Sequence, residues 1–436
     1  MHKKGFVLSW FYPPGNSSEG IITYKLLSHS GFEFDVWTRK NQNQNLWDRR
    51  VDEAALSSPN VNTFPVDNES EKRWIAAAVE YFTDHHGEYD FVMSRSMPAF
   101  SHEAAREIKR RFPEVVWIAS FGDPLTDTPY LRIYNKGDNP YSLRRFLAEE
   151  SASSLRALHL AASRTRRSRK LVWHKDHKAT NQEFRTYAKI NDFTIRESDL
   201  VILNNDYQFL HTFSEQYTQF KSKGLILPHT FDESMYPHTP KGQHKKIVFS
   251  YTGHLDEKRN AKPLLQALTK LKQQDKDLAK KVEFNFYGSL SKNDKLFILD
   301  HQLFDIVKLR GDVDYRTSLK IMHDSDWLLL FDANFTKYTD TNIYFAAKLA
   351  DYIGSRSHIL AITQLVGASA DIVRKVGGGI VCSHSADEVA MYLAKIIYQS
   401  CKPAAINETE RQKFSVEQVS KNLDKAINAI LKRTRP

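Results

Sequence analysis

The chain has 436 residues, 41% hydrophobic and 26% charged, which fits a globular protein with more than one core. Its formal net charge is +10, which favours anionic partners without choosing among nucleic acid, anionic lipid and a phosphorylated substrate. Only two cysteines occur, Cys382 and Cys401, so no disulfide framework is implied and no pair has metal-ligand spacing.

The opening Met1-His2-Lys3-Lys4 runs into a strand-like stretch over 5–10 that is too short for a signal-peptide core or a membrane span. No other stretch approaches a spanning length, and a cytoplasmic protein is expected. Apolar runs predict strands over 6–10, 34–38, 91–94, 115–119, 199–203 and 224–227, with helices over 20–28, 72–85 and 103–112 between them. The second half repeats the pattern. Strands are predicted over 246–251, 282–287, 306–309, 327–331, 358–362 and 379–381, with helices over 262–272 and 315–323. Strands alternating with helices predict an α/β fold with parallel sheets covered on both faces.

Pro228, Pro237 and Pro240 and a polar run over 241–246 mark a linker near residue 230. Two Rossmann-like, doubly wound lobes facing across a cleft are therefore expected. The N-terminal lobe takes residues 1–228, with a basic insertion at about 150–190. The C-terminal lobe takes 229–405, and a final segment, 406–436, carries a helix over 416–431 that Ser415 and Gln418 would cap. In such sheets ligands bind at the carboxyl ends of strands, so the cleft is the expected site.

The loops after those strands carry the candidate chemistry. Tyr12-Pro13-Pro14-Gly15-Asn16-Ser17-Ser18-Glu19-Gly20 follows the first strand; small residues opening a helix can let backbone amides approach an anion or a sugar, and an ordinary strand-to-helix turn reads the same way. Asp123, before Pro124, sits just past a strand where a carboxylate could orient or deprotonate a hydroxyl; turn chemistry also favours Asp there. Gly253 and Arg259 follow the first strand of the second half. The glycine permits close approach and the guanidinium could pair with a diphosphate, or the loop is a solvated basic turn. Gly288, and Gly311 with Val313 two residues on, follow later strands. Lys348 and Asp351 lie three apart, on one face of a helix, offering a cation and a carboxylate to a ligand with phosphates and hydroxyls.

The segment 156–178 carries Arg164, Arg166, Arg167, Arg169, Lys170 and Lys175 against one acid, Asp176, with Leu158, Leu160, Leu171, Val172 and Trp173 interleaved. Nucleic acid, an anionic membrane surface and plain solvation all remain open; the apolar residues favour the membrane. No recognition motif supports nucleic acid. Phosphate-loop, nucleophile-elbow and His-Glu-x-x-His patterns are absent from the sequence, and no metal or other cofactor is expected.

Taken in order, these motifs resemble glycosyltransferase family 4, whose members have the GT-B fold. The likeness rests on Tyr12-Pro13-Pro14 with Ser18-Glu19-Gly20, on Trp117-Ile118-Ala119 before Asp123-Pro124, and on the interlobe turn Leu227-Pro228-His229-Thr230-Phe231-Asp232. It continues through Gly253 with Arg259, Lys348-Leu349-Ala350-Asp351-Tyr352, and Phe414-Ser415 before the last helix. The resemblance implies that Arg259 and Lys348 hold the diphosphate of a nucleotide sugar. It places Asp351 on the ribose, backbone near Val313 at the base, and Gly20 and Asp123 on the phosphate and acceptor side. Gly253, Gly288 and Asp340 complete the expected donor site. Ile343 stands where the family's first acidic residue would be, with Asp340 and Asn342 nearby. The implied activity is metal-independent hexosyl transfer, with retention, from a nucleotide-diphosphate sugar to a glycan, glycolipid or lipid-linked acceptor in surface polysaccharide synthesis. Segment 156–178 would dock the protein on the inner face of the cell membrane. A non-catalytic carbohydrate-binding or partner subunit of the same fold is the alternative.

Overall fold

A computed structural model describes residues 3–15, 17–40, 56–67, 70–126, 128–130, 181–242, 244–399 and 403–434. Residues 1–123 and 193–436 form one compact unit, and 124–192 form another. In the second unit the described residues are 124–126, 128–130 and 181–192, the last being the larger part of the helix Asn181–Glu197.

The large unit holds two parallel sheets. The first contains β1 (Lys4–Leu8), β2 (Glu33–Arg39), β3 (Val61–Val66), β4 (Phe91–Ser96), β5 (Val116–Phe121), β6 (Leu200–Leu203) and β7 (Gly224–Ile226), in the order β3-β2-β1-β4-β5-β6-β7. The second draws on β8 (Ile247–Thr252), β9 (Val282–Tyr287), β10 (Val307–Gly311), β11 (Trp327–Phe331), β13 (His358–Ile362) and β15 (Gly379–Cys382), in the order β10-β9-β8-β11-β13-β15. Two short strands, β12 (Thr341–Asn342) and β14 (Val366–Gly367), pair beside it. Every residue of β4, β5 and β11 is buried, as parallel strands covered on both faces require. This is the doubly wound α/β class expected from the alternation of strands and helices.

In each sheet the strand order reverses once, between β1 and β4 and between β8 and β11. The loops leaving those strands part there, which opens a crevice at their carboxyl ends. The helices that follow β6, β9 and β10 are capped by short polar side chains. Asn205 accepts from the amide of Gln208, Ser291 from that of Asp294 and Asp314 from that of Thr317.

Strand β3 escapes the sequence pattern. It is a sheet edge reading Val-Asn-Thr-Phe-Pro-Val, with no fully buried residue, and Pro65 is tolerated because an edge strand can spare an amide.

The chain crosses between the sheets twice, side by side. The amide of Phe231 donates to Phe414 (3.0 Å) and that of Val416 donates to Phe231 (2.9 Å). Arg411, fully buried, lies 4.3 Å from the Phe231 ring centre, donates to the carbonyls of Ile353 (3.0 Å) and Gly354 (2.9 Å) and pairs with Glu233 (3.1 Å). Beyond this crossing the helix Val416–Thr434 lies on the first sheet's layer. Val419, Leu423, Ile427 and Leu431 join its core, and Asp424 accepts from the Ser30 hydroxyl (2.5 Å) and the Gly31 amide (2.8 Å). No helix among the described residues is long and apolar enough to cross a membrane.

Leu423 is completely buried against that sheet. Leu423→Ala is expected to cost about 2–5 kcal/mol, whereas Lys421→Ala, on the exposed face of the same helix, should change stability by less than about 0.5 kcal/mol. Urea unfolding of the two variants checks this.

Candidate functional site

The carboxyl edge of the second sheet is stitched by backbone. The Gly253 amide donates to Tyr287 (2.7 Å) and the Gly288 amide to Gly311 (2.7 Å). Gly253 and Gly288 both have strongly positive φ, +121° and +120°. A Cβ on Gly288 would lie 2.0 Å from the Gly253 carbonyl oxygen, so that glycine is required by the neighbouring strand. A Cβ on Gly253 would lie 2.8 Å from Lys348 Nζ, so that glycine leaves room for an ammonium group.

Lys348 enters from the first turn of the helix Ala347–Ser355. Its Nζ donates to the Tyr251 hydroxyl (2.5 Å) and the Thr252 carbonyl (3.0 Å), and lies 4.0 Å from the Tyr251 ring centre. Burial holds its pKa well below the usual lysine range. The nearby Arg259 guanidinium lowers it further, and the carboxylates of Asp332 and Asp351 partly offset both. The Arg259 loop is shaped by Asp256, whose Oδ1 accepts from the amides of Lys258 and Arg259 (2.8 Å each). Arg259 also donates to the His254 carbonyl (3.2 Å). Asp332, just past β11, is buried, which pushes its pKa up. It accepts from Thr363 Oγ1 (2.7 Å) and Asn342 Nδ2 (3.0 Å). Two cations close enough to repel each other are thus held where the loops part, an arrangement that an arriving dianion would relieve.

Gly20 and Asp123 come from the first sheet's side. Gly20 is buried in the helix Ser18–Ser28, where a Cβ would lie 3.1 Å from the Tyr12 backbone; it lets the helix pack on the preceding loop. Its neighbour Glu19 pairs with Arg95 (3.0 Å), which also donates to Ser120 Oγ (2.9 Å). Asp123 follows β5. Burial, then the Glu19 carboxylate, pushes its pKa up to about 7, against the pull of Arg95 and of Arg259 from the second sheet's side. Burial likewise raises Glu19. Two carboxyls of raised pKa beside two guanidinium groups have the character of an acid–base site.

The other residues of the expected donor site have their own partners or positions, Asp351 remaining within electrostatic reach of Lys348. Asp351 is buried in an ion pair with Lys25 (2.9 Å) from the first sheet's layer, and accepts from the Tyr315 hydroxyl (2.9 Å). Lys25 Nζ also donates to the Thr230 carbonyl. Val313, half-buried, directly precedes the cap residue Asp314 of the helix Tyr315–Asp324. Asp340 is exposed and lines a separate cavity. His229 of the interlobe turn is buried; burial and the charges of Arg95 and Lys25 push its pKa down to about 3, so it is neutral. Segment 156–178 and Cys401 lie outside the described residues. Among the described residues one trio, His29, Asp232 and Glu417, brings groups able to bind a metal within 4.8 Å of one another, and it includes none of the residues around Lys348.

The structure thus gathers Gly253, Arg259, Gly288 and Lys348, with Asp123 within electrostatic reach of Arg259. It adds Tyr251, Asp332, Glu19 and Arg95, which sequence reasoning did not single out as site residues. Arg95 had a signal, a charged residue inside an apolar strand.

No family profile matches the sequence, and no curated protein matches it. Solved structures do. Sucrose-phosphate synthase from Thermosynechococcus elongatus is similar over 99% of this chain and 95% of its own, with a TM-score of 0.58 and 12% identity. The lipopolysaccharide outer core galactosyltransferase WaaB, in its apo form, is similar over 98% and 99%, with a TM-score of 0.56 and 11% identity. A UDP-N-acetylglucosamine 2-epimerase is similar over 97% and 95%, with a TM-score of 0.52 and 8% identity. The chain has the GT-B fold, and that fold serves both glycosyl transfer and epimerisation among these neighbours.

Lys25 and Asp351 tie the two sheets' layers together. Removing one partner, by Lys25→Met or Asp351→Leu, leaves a buried charge and should cost about 3–5 kcal/mol, while the double variant should recover most of that loss. Denaturant unfolding of the four proteins reads the coupling. Single losses under about 1 kcal/mol would show that the pair is not buried in solution.

Proposed function

We propose that this protein is a glycosyltransferase that moves a sugar from a nucleotide-diphosphate donor to a hydroxyl of a glycan, glycolipid or lipid-linked acceptor. The observation that carries the reading is the Arg259–Lys348 pair at the carboxyl ends of the second sheet, with Asp123 approaching Arg259 from the first. The bond between the sugar's anomeric carbon and the diphosphate breaks with the electron pair going to the diphosphate oxygen. Arg259 and Lys348 stabilise that charge, and Lys348 becomes a better cation as the dianion arrives. The acceptor oxygen bonds to the anomeric carbon, and Asp123, ionised above about pH 7, takes or orients its proton. In this reading Gly253 and Gly288 keep the strand edge open to the donor, Gly20 lets its helix start beside the phosphates, and Val313 lies toward the base. Residues 1–228 take the acceptor, 229–405 the donor, and 156–178 meets an anionic membrane surface. Transfer uses no metal.

The resemblance implies retention. Asp123 acting as a base opposite the leaving group implies inversion, so the anomeric configuration of the product assigns its role. A second reading, a non-catalytic partner subunit, is favoured by one observation: the Asp351 carboxylate, which the resemblance places on the ribose, is engaged by Lys25 and Tyr315.

Transfer from a panel of nucleotide sugars, measured from about pH 5 to 9, tests the proposal. A rise in kcat/KM through about pH 7 is expected, because the active carboxylate form of Asp123 accumulates as pH passes its raised pKa. That limb should vanish in Asp123→Asn. Arg259→Ala should slow transfer on the order of 10²- to 10³-fold with an unchanged melting temperature. Unchanged turnover in Arg259→Ala would remove the assignment, and no transfer or donor hydrolysis by the wild-type chain would favour the partner-subunit reading.

A further inference from the structure

A cavity of about 380 Å³ opens beyond the carboxyl ends of β11, β13 and β15. Its volume lies within the range of small-molecule sites. Its chemistry differs from that of the Arg259–Lys348 pair. Among the described residues, those lining it include no Lys or Arg, and Asp340 supplies its one carboxylate. A phosphate finds no countercharge there, and a single carboxylate is a poor cage for a divalent cation.

The polar groups of the wall are fixed. The carbonyl oxygen of the Asn334 side chain accepts from the amide (3.1 Å) and hydroxyl (2.7 Å) of Thr336. Gln364 is buried. Its amide nitrogen donates to the Thr339 carbonyl (2.7 Å), and its side-chain oxygen has no partner among the described residues. His384 donates from Nε2 to the Asp332 carbonyl (2.9 Å), which leaves Nδ1 as an acceptor; burial holds it neutral. Leu365 and Val366, 45% and 50% exposed, stand side by side in the lining. The Leu365 carbonyl is held by Arg374 (2.7 Å), and Val366 pairs with Thr341.

Neutral donors and acceptors in a fixed ring, one carboxylate and an apolar surface suit a pyranose. Its hydroxyls both donate and accept, and its C–H face covers apolar surface. We infer that this cavity is a second carbohydrate site, one that takes an uncharged sugar ring of a glycan apart from the diphosphate-binding pair. Asp332 stands between the two sites. It accepts from Thr363 of the cavity wall, and its charge acts on Lys348. The inference does not depend on whether the chain catalyses transfer.

Saturation-transfer NMR on the full chain, with lactose, maltose, cellobiose and N,N′-diacetylchitobiose as probes, tests it. At least one disaccharide should bind, with and without a saturating nucleoside diphosphate. Leu365→Asp and Asn334→Ala, both at exposed positions, should each weaken that binding about tenfold and leave nucleotide-induced thermal shifts unchanged. Three results would each overturn the inference: no disaccharide binding, binding unaffected by both substitutions, or displacement of the sugar by the nucleotide.

Discussion

Two positive charges held together against their own repulsion are the constraint on which this structure turns. Lys348 is half-buried beside Arg259, and water would solvate both better than protein does. The fold meets that cost with local groups: the Tyr251 hydroxyl and ring, the Thr252 carbonyl and the Asp332 carboxyl. Gly253 is part of the same solution, since any side chain there would meet the ammonium. The parallel sheet supplies the place. Strand order reverses between β8 and β11, so the loops bearing Arg259 and Asp332 diverge and leave the cations facing a crevice.

The first sheet contributes a complementary set. Glu19, Arg95 and Asp123 lie at the carboxyl side of its own reversal, between β1 and β4. Asp123 is poised near neutrality because burial and Glu19 push it up while Arg95 and Arg259 pull it down. Its state therefore depends on a residue contributed from beside the other sheet. The two layers are joined by the buried ion pair of Lys25 with Asp351 and by the paired chain crossings at 231 and 414–416, beside which the buried Arg411 meets the exposed Glu233. Buried pairs of this kind fix geometry more than they add stability, which suits a site assembled from both sides.

The doubly wound class was legible because parallel strands buried on both faces are written as uninterrupted apolar runs such as Trp327–Phe331. The loops after those strands could be found for the same reason, and with them Gly253 and Arg259, while Lys348 was marked by its spacing from Asp351 on one helix face. Strand β3 was not legible, because an exposed edge carries no apolar signature. Nor were the partners of buried charges. Lys25 meets Asp351 326 residues away, Arg95 meets Glu19 76 residues away, and Arg411 meets Glu233 178 residues away. Local patterns carry no information about such pairings. Asp340 illustrates the converse: proximity in sequence to Lys348 did not place it with Lys348, because the irregular loop 332–340 follows no period that fixes where its side chains go.

The central claim, that the Arg259–Lys348 pair is a diphosphate site, is tested most directly by thermal stability of the purified chain with UDP, GDP, TDP and CDP beside their monophosphates. A cation pair shaped for two phosphates predicts that one nucleoside diphosphate, at about 100 times its dissociation constant, adds about 2.7 kcal/mol and that its monophosphate adds clearly less at the same concentration. No stabilisation by any diphosphate, or equal stabilisation by mono- and diphosphate, would contradict it.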